Sequence, residues 1–176
     1  MLIFLTAPGL SSAADEIQQM LGVFQVPEGQ EVLTENWSDQ VSAARRLEYF
    51  GLSDPALFDT IEADLLQAYK GSSNAEIEYT GWMVKALEFS GQKKYIDTVK
   101  IVAKGAPDKR TRDYAKAAAE VLPSYTQWNT IISSKDNYRA DKSAEVNRYA
   151  NMLSSGVPQL QHLAAKRISF EKCFDE

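Results

Sequence analysis

Apolar residues recur at three- and four-residue spacing along most of this chain, and the clearest run is residues 74–104. Tyr79, Trp82, Met83, Ala86 and Leu87 fall on one stripe of a helix from about Ala75 to Phe89, with Glu78, Lys85 and Glu88 on the opposite side. Ser90-Gly91 follows, and glycine suits the left-handed backbone that ends many helices. Tyr95, Val99 and Val102, flanked by Ile96 and Ala103, predict a second helix over about Gln92–Lys104, with Lys93, Asp97, Lys100 and Lys104 facing away. Gly105 and Pro107 end it. Packed antiparallel, the two helices cover only part of their apolar stripes, so neighbouring hairpins must cover the rest.

Looser copies of this pattern lie on both sides. Ser38 or Asp39 can cap a helix that carries Ala43, Leu47 and Phe50 to Gly51. Ser53-Asp54-Pro55 opens its partner, striped by Phe58, Ile61, Leu65 and Tyr69, and Gly71-Ser72-Ser73-Asn74 turns into the central hairpin. Pro107-Asp108 starts a third hairpin, with Tyr114, Ala118, Val121 and Leu122 inward, a corner at Pro123-Ser124, and Tyr125, Trp128 and Ile132 on the partner helix. Ser133–Asp141 reads as a polar turn. Ser143 opens a fourth hairpin, with Val146, Tyr149, Ala150 and Leu153 on one helix and Leu160, Ala164 and Ile168 on the next, turned by Ser155-Gly156. The expected fold is all-α: a right-handed α-solenoid of about four antiparallel hairpins occupying residues 38–172. Residues 15–37 are expected to form a short helix and a capping segment in which Trp37 covers the first hairpin, and 173–176 a tail. The alternative is a non-repetitive helical bundle.

The corners recur with a drifting period. Phe89 matches Val121 and then Leu153, at 32-residue steps, whereas Leu47-Glu48 precedes Leu87-Glu88 by 40. The stretch Pro107-Asp108-Lys109-Arg110-Thr111-Arg112-Asp113-Tyr114-Ala115-Lys116-Ala117-Ala118-Ala119-Glu120-Val121-Leu122 resembles the first helix of a HEAT repeat. Asp108 and Arg112 match the pair with which such repeats tie successive turns together. Ser38–Gly51 shares part of the pattern through Asp39, Val41, Ala44 and Leu47. The resemblance implies an α-solenoid and a binding scaffold. Because some bilin lyases are built on HEAT-like repeats, it keeps an enzyme or enzyme subunit open as an alternative, but it transfers no catalytic residue.

Composition narrows the function classes. A 44% hydrophobic content supports a core. The net charge of −5 argues against nucleic acid as the main partner, which calls for clustered Lys and Arg. No apolar run reaches the ~18 residues of a membrane span. The single cysteine, Cys173, excludes an internal disulfide framework and a cysteine-rich zinc site. Leu2–Leu10 is short, apolar and uncharged, and Ser11-Ser12-Ala13-Ala14 follows. That order fits a signal-peptide remnant over residues 1–14, cut after Ala13 or Ala14, although no Lys or Arg precedes it. It implies a periplasmic or secreted protein; without it, a cytoplasmic one.

No phosphate-binding loop or nucleophile motif is present, and His162, the sole histidine, has no partner at ligand spacing. No catalytic residue, metal ligand or cofactor is assigned. The candidate partner-binding residues are charged positions on two second helices: an acidic ridge with Asp59, Glu62 and Asp64, beside a basic ridge with Lys93, Lys94, Lys100 and Lys104, together with Asp97. The expectation is a non-catalytic scaffold that binds a protein or peptide through this mixed-charge surface. An assembly piece of a longer chain is the other alternative.

Overall fold

The computed structural model describes residues 13–25 and 37–171, with side chains described over 14–25 and 37–170. The described residues form eight α-helices: α1 (Ala13–Phe24), α2 (Trp37–Leu47), α3 (Pro55–Ala68), α4 (Asn74–Phe89), α5 (Ile96–Gly105), α6 (Lys109–Ile132), α7 (Ala144–Ser154) and α8 (Pro158–Glu171). A single 3-10 turn, Lys93–Tyr95, leads into α5. Leu2–Leu10 and Cys173 lie outside the described residues; Ala13 and Ala14 are the first residues of α1.

The helix starts follow from local chemistry. The Asp54 side chain accepts the Leu57 N–H and Pro55 opens α3, so an orphan donor is met and the missing proline N–H costs nothing. Ser73 and Glu76 form a reciprocal capping box at α4. At α6 the Asp108 side chain accepts the Thr111 N–H, and at α7 the Ser143 side chain accepts the Val146 N–H. Gly51, Gly91 and Gly156 take the left-handed backbone at the ends of α2, α4 and α7.

Helix α6 departs from expectation. Pro123 lies inside one continuous 24-residue helix, and no corner forms there. Buried Thr111, Ala115, Ala118, Leu122, Tyr125, Asn129 and Ile132 are spaced alternately by four and three, so one stripe runs unbroken past the proline. Interior proline costs about 3 kcal/mol. Burying a stripe of this length against α4 and α5 outweighs that, at about 25 cal/mol per Å² of apolar area. The third pair is therefore a single long helix.

That helix lies along α4 and α5 and meets the corners of both preceding hairpins toward its C-terminal end. The Gly51 corner abuts Ile132 and the Ser133 N–H, and the Gly91 corner abuts Tyr125 and the Thr126 N–H. From Thr126 to Ser133 is seven residues, 133 − 126, a rise of about 10.5 Å, close to the 8–10 Å between packed helices. The two corners, 40 residues apart in sequence (91 − 51), thus stack one helix-width apart along α6. Asn129 sits between them, its amide donating to the carbonyls of Leu52 (3.1 Å), Phe89 (2.8 Å) and Ser90 (3.1 Å). Ser53 Oγ donates to the Ser90 carbonyl at 2.7 Å, and Gln92 Nε2 to the Ser53 carbonyl at 2.9 Å.

The last pair, α7–α8, packs on α6 and also reaches back to the start of the chain. Arg148 of α7 pairs with Glu16 of α1 and covers the Phe50 ring at 4.4 Å. Arg167 of α8 pairs with Glu48 at 2.8 Å and lies 4.7 Å from the Tyr49 ring centre. Tyr49 and Tyr149 meet at 5.7 Å. Tyr49, Ile132, Tyr149, Met152, Leu160 and Ala164 form a small second core, separate from the main one built by α1–α6. Among the residues expected inward on α7, Leu153 is exposed and Met152 is buried instead.

Candidate binding cleft

One ion pair joins the two charged ridges. Lys94 Nζ lies 2.5 Å from Asp59, and the Tyr95 hydroxyl donates to the same carboxylate at 2.8 Å. These bonds, the lysine one foremost, hold the Asp59 carboxyl below the usual range. Glu62 accepts from the Thr98 hydroxyl. The structure therefore brings Asp59, Glu62 and Lys94 together as pins between α3 and the start of α5. Lys93, Asp97, Lys100 and Lys104 are exposed on the outer side of that segment. Asp64 leaves the ridge: it is half-buried against α4, where the Tyr79 hydroxyl donates to it at 3.4 Å. Burial lifts its carboxyl to about 6. His162 is exposed on α8.

A cleft lies between α4 and the first turns of α6. It has a volume of about 560 Å³ and is lined by Asn74, Ile77, Glu78, Gly81, Trp82, Lys85, Arg110 and Tyr114. Gly81 forms its floor, and a β-carbon there would stand 3.4 Å from Tyr114 Cδ2. Tyr114, expected inward, is 49% exposed and forms one wall. Trp82 forms the other, stacked beneath the Arg45 guanidinium at 4.8 Å. Arg45 also pairs with Glu78 at 3.2 Å and so bridges α2 to α4 along the edge of the cleft. A shallower cavity of about 400 Å³ continues past Glu78 toward Trp37, Ser42 and Arg45. Trp37, at the start of α2, stacks on Tyr79 of α4 at 4.9 Å and shares a cavity with Asp64, Gln67 and Ala68 of α3.

Beneath the cleft lies a buried carboxylate. Glu88, expected on the outer face of its helix, is 4% exposed and receives Lys85 at 2.9 Å. Burial raises its carboxyl, with the neighbouring Glu48 charge adding to the effect and Lys85 opposing it. Asp108 and Arg112 act locally: Asp108 accepts the Thr111 N–H at 3.0 Å, and Arg112 donates to the carbonyls of Ala106 (2.7 Å) and Pro107 (2.6 Å).

The sequence contained one signal for this cleft that the periodicity did not convey. A glycine inside a strong helix costs about 1 kcal/mol relative to alanine. Gly81 incurs that cost where an aromatic ring lies across the backbone. Comparison with known proteins finds no match: no family model, no curated protein and no solved structure is similar to this chain. Among the described residues, no helix is long and apolar enough to cross a membrane.

Proposed function

We propose that this protein is a non-catalytic helical scaffold that binds a protein or peptide segment in the α4–α6 cleft. The observation that carries this reading is the cleft itself, a preformed groove with a glycine floor, two aromatic walls and a charged rim. Such a mixture of apolar surface and a few polar groups is typical of ligand-binding sites, and its aromatic walls and guanidinium are the side chains that anchor protein partners. The mixed-charge α3–α5 surface is the alternative docking face, but its Asp59, Glu62 and Lys94 already have internal partners. Within the same proposal, α2–α3 and α4–α5 are consecutive HEAT-like hairpins of a short solenoid. The regular stacking of their Gly51 and Gly91 corners along α6 supports this. We place the protein outside the cytoplasm, on the strength of the apolar Leu2–Leu10 stretch and the small residues after it.

The test is binding of a random short-peptide library displayed on phage. Selected peptides should lose affinity about 10-fold, or 1.4 kcal/mol, for the Tyr114→Ala variant, and should keep it when Lys93, Lys94 and Lys100 are all changed to Glu. The opposite pattern would move the binding face to the α3–α5 side. Peptide mass analysis of the protein purified from its own cells tests export: a mature N-terminus at Ala14 or Asp15 is expected, and an intact N-terminus would place the protein in the cytoplasm.

A further inference from the structure

We infer that the segment held in the α4–α6 cleft is acidic, with an aromatic or large apolar side chain beside its carboxylate; this rests on the peptide-binding reading of the cleft. Three of the four charges on its walls and rim are already closely paired. Glu78 is met by Arg45 at 3.2 Å, and Lys85 by buried Glu88 at 2.9 Å. Arg110 is different. Its nearest carboxylate, on Asp108, is 3.8 Å from Nε, and the same Asp108 oxygen accepts the Thr111 N–H at 3.0 Å as the cap of α6. The Arg110 side chain is 67% exposed. The loosely held charge of this cleft is therefore a guanidinium, in a chain whose overall charge is −5.

The guanidinium fork suits a carboxylate, which it can meet with two parallel hydrogen bonds. Arg110 lies one turn before Tyr114 on α6, so the two side chains are neighbours along one face. A carboxylate on Arg110 brings the next residue of the segment against the Tyr114 ring, the Gly81 floor and Trp82. An aromatic side chain there gains ring contacts with Tyr114 and Trp82 beyond its burial. A basic segment would meet Lys85 and Arg110 with Glu78 as the sole lining carboxylate, and that one is already paired with Arg45. Asn74, at the start of α4, lines the same cleft and offers an amide to the backbone of the segment.

The experiment uses the full chain and the same displayed library, scored by composition. Selected sequences should be enriched in Asp or Glu adjacent to Trp, Tyr, Phe or Leu. A fluorescein-labelled synthetic copy should bind about 10-fold more weakly to Arg110→Glu, and more weakly as salt rises. Changing its acidic residue to Lys should restore binding to that variant. Both Arg110 and Tyr114 are exposed, so their variants are expected to keep the wild-type circular dichroism and melting temperature. Peptides that need Tyr114 but are basic or uncharged, and are indifferent to Arg110→Glu, would overturn the acidic assignment and leave the cleft reading standing. Binders unaffected by Tyr114→Ala, or no binders, would overturn both.

Discussion

Asp64 stands half-buried between α3 and α4, its carboxylate facing the Tyr79 hydroxyl. Its folded value near 6 exceeds the ordinary 3.8 because burial penalises the charge more than the tyrosine helps it. A carboxyl raised in the folded state favours folding at low pH, and that contribution disappears as pH rises from about 4 toward 6. Asp64→Asn keeps the shape and can still accept from Tyr79. We expect its urea midpoint to exceed that of the wild type at pH 7 and to converge with it near pH 4, where both side chains are neutral. Asp59, Asp108 and Asp113 are held low by their partners and act in the opposite direction, but they are common to both proteins and cancel in the difference. A constant gap between the two proteins across this range would refute the assignment. Periodicity could not have revealed this residue. Asp64 is two positions from Glu62, and the turn of the helix alone sends one toward Thr98 and the other toward Tyr79. Tyr114 and Glu88 depart from the helical stripe for a related reason. A position at the edge of a stripe is buried or exposed according to how closely the next helix approaches, which the chain's own repeat does not encode.

Element boundaries were easier to read, because caps and glycines carry them. The starts of α3, α4 and α7 and the corners at Gly51, Gly91 and Gly156 follow from short-range hydrogen bonding and backbone freedom. Pro123 misled for the converse reason: a local signal for a break was overridden by burial on both sides of it. The glycine corners also give a controlled comparison. Gly91 and Gly156 have nearly the same φ, +66° and +70°. A β-carbon on Gly91 would fall 2.5 Å from the Thr126 backbone nitrogen and 2.6 Å from the Tyr125 carbonyl carbon, whereas at Gly156 nothing lies within 4 Å. Gly156→Ala should therefore cost about 1 kcal/mol, the left-handed penalty alone. Gly91→Ala should cost about 3 kcal/mol or more, because α6 must move away from the corner. Denaturant midpoints measure both, and equal losses would show that the corner does not seat on α6 as described.

The described residues hold two cores, and their boundary runs through the α2–α3 turn, where Phe50 belongs to the main core and Tyr49 to the smaller one. Such a division is expected to appear as two cooperative units. Tyr149→Ala removes the ring that meets Tyr49 and empties part of the smaller core. In hydrogen exchange read by mass spectrometry, α7 and α8 should lose protection while α4, α5 and α6 keep theirs. A uniform loss across all helices would mean a single unit.

The spacing of the two corners along α6 also governs how such a molecule could grow. The stretch from Thr126 to Ser133 sets the distance between the two corners, while the rest of α6 lies along α4 and α5. One extra residue between Thr126 and Ser133 would rotate every later contact by about 100° and spoil the fit of the first corner, whereas seven would leave the facing surface aligned and open a vacant berth.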